Sequence, residues 1–349
     1  MLTCISQLFF LSFTTQTEVT QLKHTLMKNN YAGQAFGPVV IFALFSFFIS
    51  CNNNENSSTA AVSKADSLQQ MVERGKYLAH YVSSCMDCHS QRDFNKYSGP
   101  VIEGTEGMGG FEIGEKLGIP GVVYARNITP DTVNGIGKWT DEEIARAITR
   151  GISRNGDTLF PVMPYPHFNQ MSKEDVYSII AFLRTLKPNS NKVPARKLFI
   201  PASVAYPPLQ SASLENNVKP DVSDMVKYGG YMVNIAACMD CHTSMDKGQF
   251  VMNKLFAGGR VFDMGIFKVT SANITPDSVT GIGKWTEAMF LEKFKLYKDP
   301  ATYAANPGKL NTIMPKAMFA NLDDFDIKAM YRYLRTVPAV NNLVEKYPK

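Results

Sequence analysis

The five residues Cys85-Met86-Asp87-Cys88-His89 recur as Cys238-Met239-Asp240-Cys241-His242 in a chain of 349 residues that holds only six cysteines. Two thiols three residues apart lie on one helical turn, where each can add to a vinyl group of the same porphyrin. The histidine that follows at once reaches the iron from the proximal face. Spacing and adjacency together give the pattern of covalent c-type haem attachment, and the repetition predicts two haem c groups. A structural zinc site needs four ligands in tetrahedral array, and each motif offers two thiolates with one histidine wedged beside them. A thioredoxin-type redox pair needs a βαβ setting that the flanking sequence lacks.

An iron held by one histidine that only passes electrons wants a second ligand, commonly a methionine thioether, which favours the reduced state. The chain has 17 methionines, most of them core filler. Repetition sorts them. Met163 and Met314 align, each is followed by proline, and they stand 74 and 72 residues beyond their motif histidines. Pro164 and Pro315 stiffen the loop that presents the sulfur. His167 and Met318 also align but differ in chemistry. The predicted iron ligands are therefore His89 with Met163 and His242 with Met314.

These residues sit in a sequence that repeats. "NITPDTVNGIGKWT" (127–140) returns as "NITPDSVTGIGKWT" (273–286), an offset of 146; the motifs are offset by 153, and "AFLRTL" (181–186) against "RYLRTV" (332–337) by 151. Landmarks in one order with small spacing changes indicate a tandem duplication of a domain of about 120 residues. Each copy opens with a helix-like segment that the motif closes and passes through a Gly-rich irregular stretch and Asn-Ile-Thr-Pro-Asp turn chemistry. A second helix follows, N-capped at Thr140 with Gly151 at its end, and the copy closes on an amphipathic helix starting near Ser172. Strand signals are sparse. The expectation is an all-α chain: domain 1 over 69–188, an extended Pro-rich linker over 189–221, and domain 2 over 222–345.

Hydrophobic residues at 45% and charged residues at 19% are ordinary globular composition. The net charge of +5 comes from 36 basic and 31 acidic side chains without a basic block, which argues against nucleic acid as a partner. No nucleophile with a base and no paired carboxylates stand out. At the N-terminus, Lys28 precedes an uncharged apolar run from Pro38 to Ile49, the length of a signal-peptide core and short for a bilayer span. Ser50-Cys51 resembles the end of a bacterial lipobox, which implies cleavage before Cys51 and lipidation of its thiol; a plain N-terminal membrane helix is the alternative. Residues 1–50 thus read as an export segment, with Met27 as a plausible true start, and 51–68 as a flexible tether.

The order Cys-x-x-Cys-His, Gly-Gly loop, Asn-Ile-Thr-Pro-Asp, Gly-Ile-Gly-x-Trp-Thr, Met-Pro and Tyr/Phe-Leu-Arg resembles the cytochrome c subunits of bacterial membrane-bound alcohol, aldehyde and gluconate dehydrogenases. The likeness covers residues 70 to 340. It implies tandem class I cytochrome c folds that relay electrons on the periplasmic side from a dehydrogenase, or another respiratory donor, toward an oxidase or other acceptor, without catalysis of their own. Members typically carry three haems and a C-terminal anchor, whereas this chain has two motifs and the lipobox-like segment, so the expected product is a membrane-anchored lipoprotein of a Gram-negative cell. A dihaem redox enzyme, of peroxidase or thiosulfate-oxidising type, is the alternative, and the His167/Met318 difference is the asymmetry it would use. By analogy with the fold, Gly75 and Gly229 or Gly230 let each opening helix cross over Phe182 and Tyr333 of the closing one. Trp139 and Trp285 read either as indole donors to a haem propionate or as core anchors. Asn127 with Thr129, and Asn273 with Thr275, read first as turn chemistry, with a bond to the haem-edge loop or a propionate as the alternative. His80, opposite Asn234, reads as a satisfied histidine, and Arg184 and Arg335 as cations at helix ends, with contact to a propionate as their alternative.

Overall fold

A computed structural model describes residues 55–205, 209 and 214–348. The export segment and Cys51 lie outside the described residues. Helix α1 (Glu55–Tyr77) starts earlier than expected, so most of the stretch read as a tether is helix. "ENSSTAAVSKADSLQQ" has neither proline nor glycine, and a packed helix propagates into such sequence at little cost. The helix continues as a π-helical turn, Leu78–Val82, closed by Ser83 N–H donating to Leu78 O at 2.8 Å. Helix α2 (Cys85–His89) is the first motif. Antiparallel strands β1 (Glu112–Ile113) and β2 (Gly121–Tyr124) follow, with Ile113 opposite Val123.

Helix α3 (Asp141–Arg150) begins in a capping box, with the Thr140 hydroxyl accepting from Glu143 N–H and the Glu143 carboxylate accepting from Thr140 N–H. Gly151 ends it at φ 65°, the left-handed conformation that glycine adopts without penalty. A single turn, α4 (Tyr165–Phe168), and the closing helix α5 (Lys173–Thr185), capped by Ser172, complete this half. The next segment is largely exposed but is pinned at one place. Strand β3 (Lys197–Leu198) pairs with β2, and Ala202 of the short α6 (Ala202–Ala205) is buried with Ile113, Ile119, Val123 and Phe160 in a small second core. Prolines 194 and 201 flank this strand, where no ladder donor is required of them.

The second half repeats the order: α7 (Met225–Ile235), α8 (Cys238–His242), hairpins β4 (Met245–Asp246) with β5 (Gln249–Phe250) and β6 (Val261–Asp263) with β7 (Lys268–Thr270), then α9 (Glu287–Lys295), α10 (Lys316–Phe319) and α11 (Asp324–Leu334). The fold class is helical, but with seven short strands among the described residues rather than none. Strands of two to four residues are too brief to leave an alternating pattern in the sequence.

Helix α1 packs on α5, and α7 on α11. Both crossings depend on glycine: a Cβ on Gly75 would lie 1.7 Å from Ser178 O, and one on Gly229 1.9 Å from Ala329 O. The closest approach is thus backbone to backbone, and the expected residues lie beside it: a Cβ on Gly75 would also come within 2.9 Å of Phe182 Cβ, and one on Gly230 within 2.9 Å of the Tyr333 ring. Gly75 and Gly229 are 154 residues apart, as are Tyr77 and Tyr231, yet the motifs are 153 apart. The π turn holds the extra residue.

One hydrophobic core runs through both halves, containing Leu78, Met86, Ile179 and Ile180 from the first and Met232, Ile235, Ile327 and Leu334 from the second. A crossed polar seam joins them. Tyr77 donates to Asp326 at 2.6 Å and accepts from Asp323 N–H at 3.0 Å; Tyr231 donates to Asp175 at 2.7 Å and accepts from Ser172 N–H at 3.2 Å. Each tyrosine thus caps the closing helix of the opposite half. Arg74 grips Asp175 with two hydrogen bonds of 2.9 Å, and at the matching position Tyr228 donates to Asp326 at 3.0 Å.

Candidate haem sites

Each motif is entered through a non-glycine residue in the left-handed region, Ser84 (φ 48°) and Ala237 (φ 50°). That conformation costs on the order of 1–2 kcal/mol, and its occurrence at both places shows that the chain must turn sharply to present the motif helix. The histidines then match. His89 Nδ1 donates to Arg126 O at 2.6 Å, and His242 Nδ1 to Ala272 O at 2.7 Å. With Nδ1 protonated, the lone pair is on Nε2, and ring orientation is fixed by the main chain, as metal-ligating histidines require. Burial lowers both imidazole pKa values, so the rings stay neutral.

Glycine loops fold back on the motifs. Gly109 N–H donates to His89 O at 2.8 Å and Gly258 N–H to His242 O at 2.7 Å, both with left-handed φ. Burial pushes the Cys85, Cys88 and Cys238 thiols up to about 12, with Cys241 of the other motif among the neighbours that raise Cys88 further. A disulfide-exchange pair works through a thiolate of lowered pKa, so this environment suits cysteines destined for a neutral thioether instead. The four thiols are free, and among the described residues no three His, Cys, Asp or Glu side chains converge as an all-protein metal site would need.

Met163 and Met314 occupy matching places. Each precedes a proline that caps a single helical turn (Pro164 φ −79°, ψ 48°; Pro315 φ −79°, ψ 60°), and each carbonyl accepts from the N–H two residues on, 2.7 Å from Tyr165 and 2.8 Å from Lys316. Both side chains pack on the shared core, beside the cluster that Cys85, Cys238, Trp139 and Trp285 also border. The donor set in each half fits haem c: two free thiols, a neutral imidazole with Nε2 available, and a thioether on a braced loop. Neither Trp139 nor Trp285 has a hydrogen-bond partner for its indole N–H among the described residues.

The remaining residues singled out in the sequence divide. Asn127 Oδ1 accepts from Thr129 N–H and Oγ1–H, while its Nδ2 donates to Asn189 O and Asn191 O; Asn273 does the same for Thr275 and Val340 O. These pairs are buried clasps that tie the chain leaving each closing helix to the loop beside the motif. Arg184 donates to Ile136 O and Trp139 O, and Arg335 to Ile282 O and Gly283 O, so both hold the Gly-Ile-Gly-Lys-Trp turn by its carbonyls. Neither the helix dipole nor a propionate, the two roles the sequence suggests, anticipates this grip, although the arginine recurs at the same place in both copies. His80 packs its ring edge-on against Phe182, 5.2 Å between centroids.

His167, the asymmetry available to a redox enzyme, is fully engaged: Nδ1 lies 2.9 Å from Asn234 Oδ1 and Nε2 2.7 Å from Asp240 Oδ1. Both partners present oxygens, an arrangement that favours the doubly protonated ring. Burial alone would lower its pKa, but the Asp240 carboxylate outweighs that and raises it.

The chain is similar to cytochrome subunits of alcohol, fructose and gluconate dehydrogenases. In particular, it is 30% identical to the cytochrome c subunit of alcohol dehydrogenase (quinone) from Gluconobacter oxydans, across 81% of the chain and 58% of that protein. It is 29% identical to the fructose dehydrogenase cytochrome subunit of Gluconobacter japonicus, across 87% and 60%, and 26% identical to a dihaem c-type cytochrome of Cereibacter sphaeroides, across 74% and 84%. The chain thus spans about three fifths of the length of these dehydrogenase subunits. No family model matches it. Among the described residues no helix is long and apolar enough to cross a membrane.

Proposed function

We propose that this chain is an exported dihaem c-type cytochrome, built of two tandem class I domains (69–188 and 222–345) joined by residues 189–221. It relays electrons on the periplasmic side from a dehydrogenase, or another respiratory donor, to an oxidase or further cytochrome. The observation that carries the reading is the doubled imidazole: in each half a motif histidine is locked by a main-chain carbonyl with Nε2 left for iron. Haem c, when bound, supplies a reversible one-electron couple. Cys85, Cys88, Cys238 and Cys241 would hold it, His89 and His242 would ligate the iron through Nε2, and Met163 and Met314 would offer a thioether as second ligand, one that raises the potential. Trp139 and Trp285 offer free indole donors to the propionate edge. The role is that of a non-catalytic subunit, and the dihaem-enzyme alternative loses its distal candidate because His167 is engaged elsewhere. Membrane attachment through a lipid on Cys51, after removal of residues 1–50, completes the reading on the strength of the lipobox-like sequence.

The test is the visible and EPR spectrum of purified, haem-loaded protein with its haem content. Two low-spin haems per chain, each showing the weak far-red band of methionine on ferric iron and inert to peroxide, support the carrier. A high-spin haem that reacts with peroxide overturns it in favour of the enzyme. Met163→Ala and Met314→Ala should each abolish half of the far-red band.

A further inference from the structure

The haem motif pattern fixes Cys, Cys and His but leaves the two intervening residues open, and this chain writes Met-Asp both times. Asp87 and Asp240 are not solvated spacers. In one direction, Asp240 of the second motif receives Nε2–H of His167, which lies on α4 of the first half, four residues after Met163. Asn234, at the end of α7, clamps the same residue twice more, through Nδ1–H and through its own Nδ2–H to His167 O at 3.1 Å. In the other direction, Asp87 of the first motif is held by Arg92 Nη1 at 2.9 Å, and Nη2 of that guanidinium reaches Ile313 O, the residue before Met314, at 3.4 Å. Ser98 of the first half reinforces this link, with Oγ–H donating to Met314 O at 2.8 Å and Oγ accepting from Ala317 N–H at 3.3 Å. The same aspartate of each motif is therefore tied to the methionine loop of the opposite half.

We propose that Asp87 and Asp240, acting through Arg92 and His167, are positioning residues that couple the two redox sites: each iron's methionine loop is held in place by the attachment motif of the other. The inference rests on Met163 and Met314 being iron ligands. Coupling runs by contact, since the clamp that orients α4 is the same one that sets the charge beside Cys241 and His242. Removing His167 takes away the hydrogen-bond donor that Asp240 accepts from and leaves the carboxylate to favour ferric iron at the second site. It also frees the Met163 loop at the first. A residue outside the second half thus alters both couples, with the second site poised lower.

The experiment is a potentiometric titration of full-length, haem-loaded protein, resolved into two one-electron components. Met163→Ala and Met314→Ala assign them, each displacing one. In His167→Ala the component assigned to Met314 is expected to show an oxidised-to-reduced ratio raised about threefold or more at fixed potential (a tenfold change corresponds to about 59 mV). The Met163 part of the far-red band should weaken, and His167→Gln, which keeps a donor, should recover most of both effects. Asn234→Ala lies in the second half and outside the motif, yet is expected to weaken the Met163 band; it carries the test if His167→Ala does not fold. If His167→Ala and Asn234→Ala move only one component each, on their own side of the seam, the coupling is wrong while the ligand assignment stands. If neither methionine variant displaces a component, the assignment itself fails, and the coupling with it.

Discussion

Tyr77 and Tyr231 make matching bonds across the seam, but their loss should differ in kind. Tyr77→Phe leaves Asp326 with the Tyr228 hydroxyl and only the longer-range pull of Arg74, whereas Asp323 N–H, near the surface, turns to water. The loss is then that of one hydrogen bond to a charged acceptor, about 1.5–3 kcal/mol. Tyr231→Phe leaves Asp175 still gripped by Arg74 but strips the acceptor from Ser172 N–H, in a residue with no exposed surface. An orphaned buried donor costs about 1–3 kcal/mol, so the two variants lose similar stability at neutral pH. Their pH dependence separates them. Burial, against the pull of Tyr77, Tyr228 and the more distant Arg74 charge, raises the native pKa of Asp326 above its unfolded value. Ionisation of Asp326 therefore costs stability above the unfolded pKa, and that cost is relieved as pH falls through the native one. Tyr77→Phe raises the native value further, so its penalty is full at neutral pH and fades on acidification between the variant and wild-type values, both above the ordinary carboxylate range. For Asp175 burial would raise the pKa, but Arg74 outweighs it and holds the carboxylate low, and its contribution is lost only as pH falls through that depressed value. Urea unfolding of both variants at pH 7 and at mildly acidic pH, followed by far-UV circular dichroism, should show Tyr77→Phe recovering most of its loss and Tyr231→Phe keeping its own. Parallel pH dependence, or a loss under about 0.5 kcal/mol for Tyr77→Phe, would refute the account of the seam.

Gly229→Ala should cost about 3 kcal/mol or more, because the new Cβ meets the backbone of α11 and neither helix can yield; Gly104→Ala, at φ 81° with open space around it, should cost only about 1 kcal/mol of backbone strain. Differential scanning calorimetry of the pair checks the contrast. Asn127→Ala and Asn273→Ala each remove a buried clasp with contacts at both ends and should lower stability by about 2–4 kcal/mol, with faster amide exchange in the segments after α5 and α11 as the local signature. Arg335→Ala and Arg184→Ala should loosen the turns that carry Trp285 and Trp139, seen as increased quenching of the matching indole fluorescence by acrylamide.

What the sequence disclosed and what it withheld follow from the range of the forces involved. Covalent attachment fixes Cys-x-x-Cys-His at one spacing, so the motif is readable in five residues. Thr140 and Ser172 are readable because a cap bonds three residues ahead. Asn127 was read as a turn former, and it is one, but its bonds to Asn189 and Asn191 close a loop of more than sixty residues that no local rule anticipates. Tyr77 and Asp326 are 249 residues apart, and nothing in either neighbourhood announces the partner. Strand β3 was hidden for a different reason, since its two residues acquire strand geometry only from β2. The role of Asp87 and Asp240 was in plain sight as an identity between copies, but an identity alone does not say what the residue touches.

The π-helical turn at Leu78–Val82 has a consequence for how such a chain can change its length. Tyr77 on one side of it is pinned to the opposite half, and Cys85 on the other is fixed by the chemistry of its motif, so neither end is free to rotate. One more residue in an ordinary helix would swing every following side chain by about 100° and carry the motif off its face. By widening a single turn, the helix takes up the residue between two anchored points and hands on the original register, much as a slip joint absorbs a change in span without moving its supports.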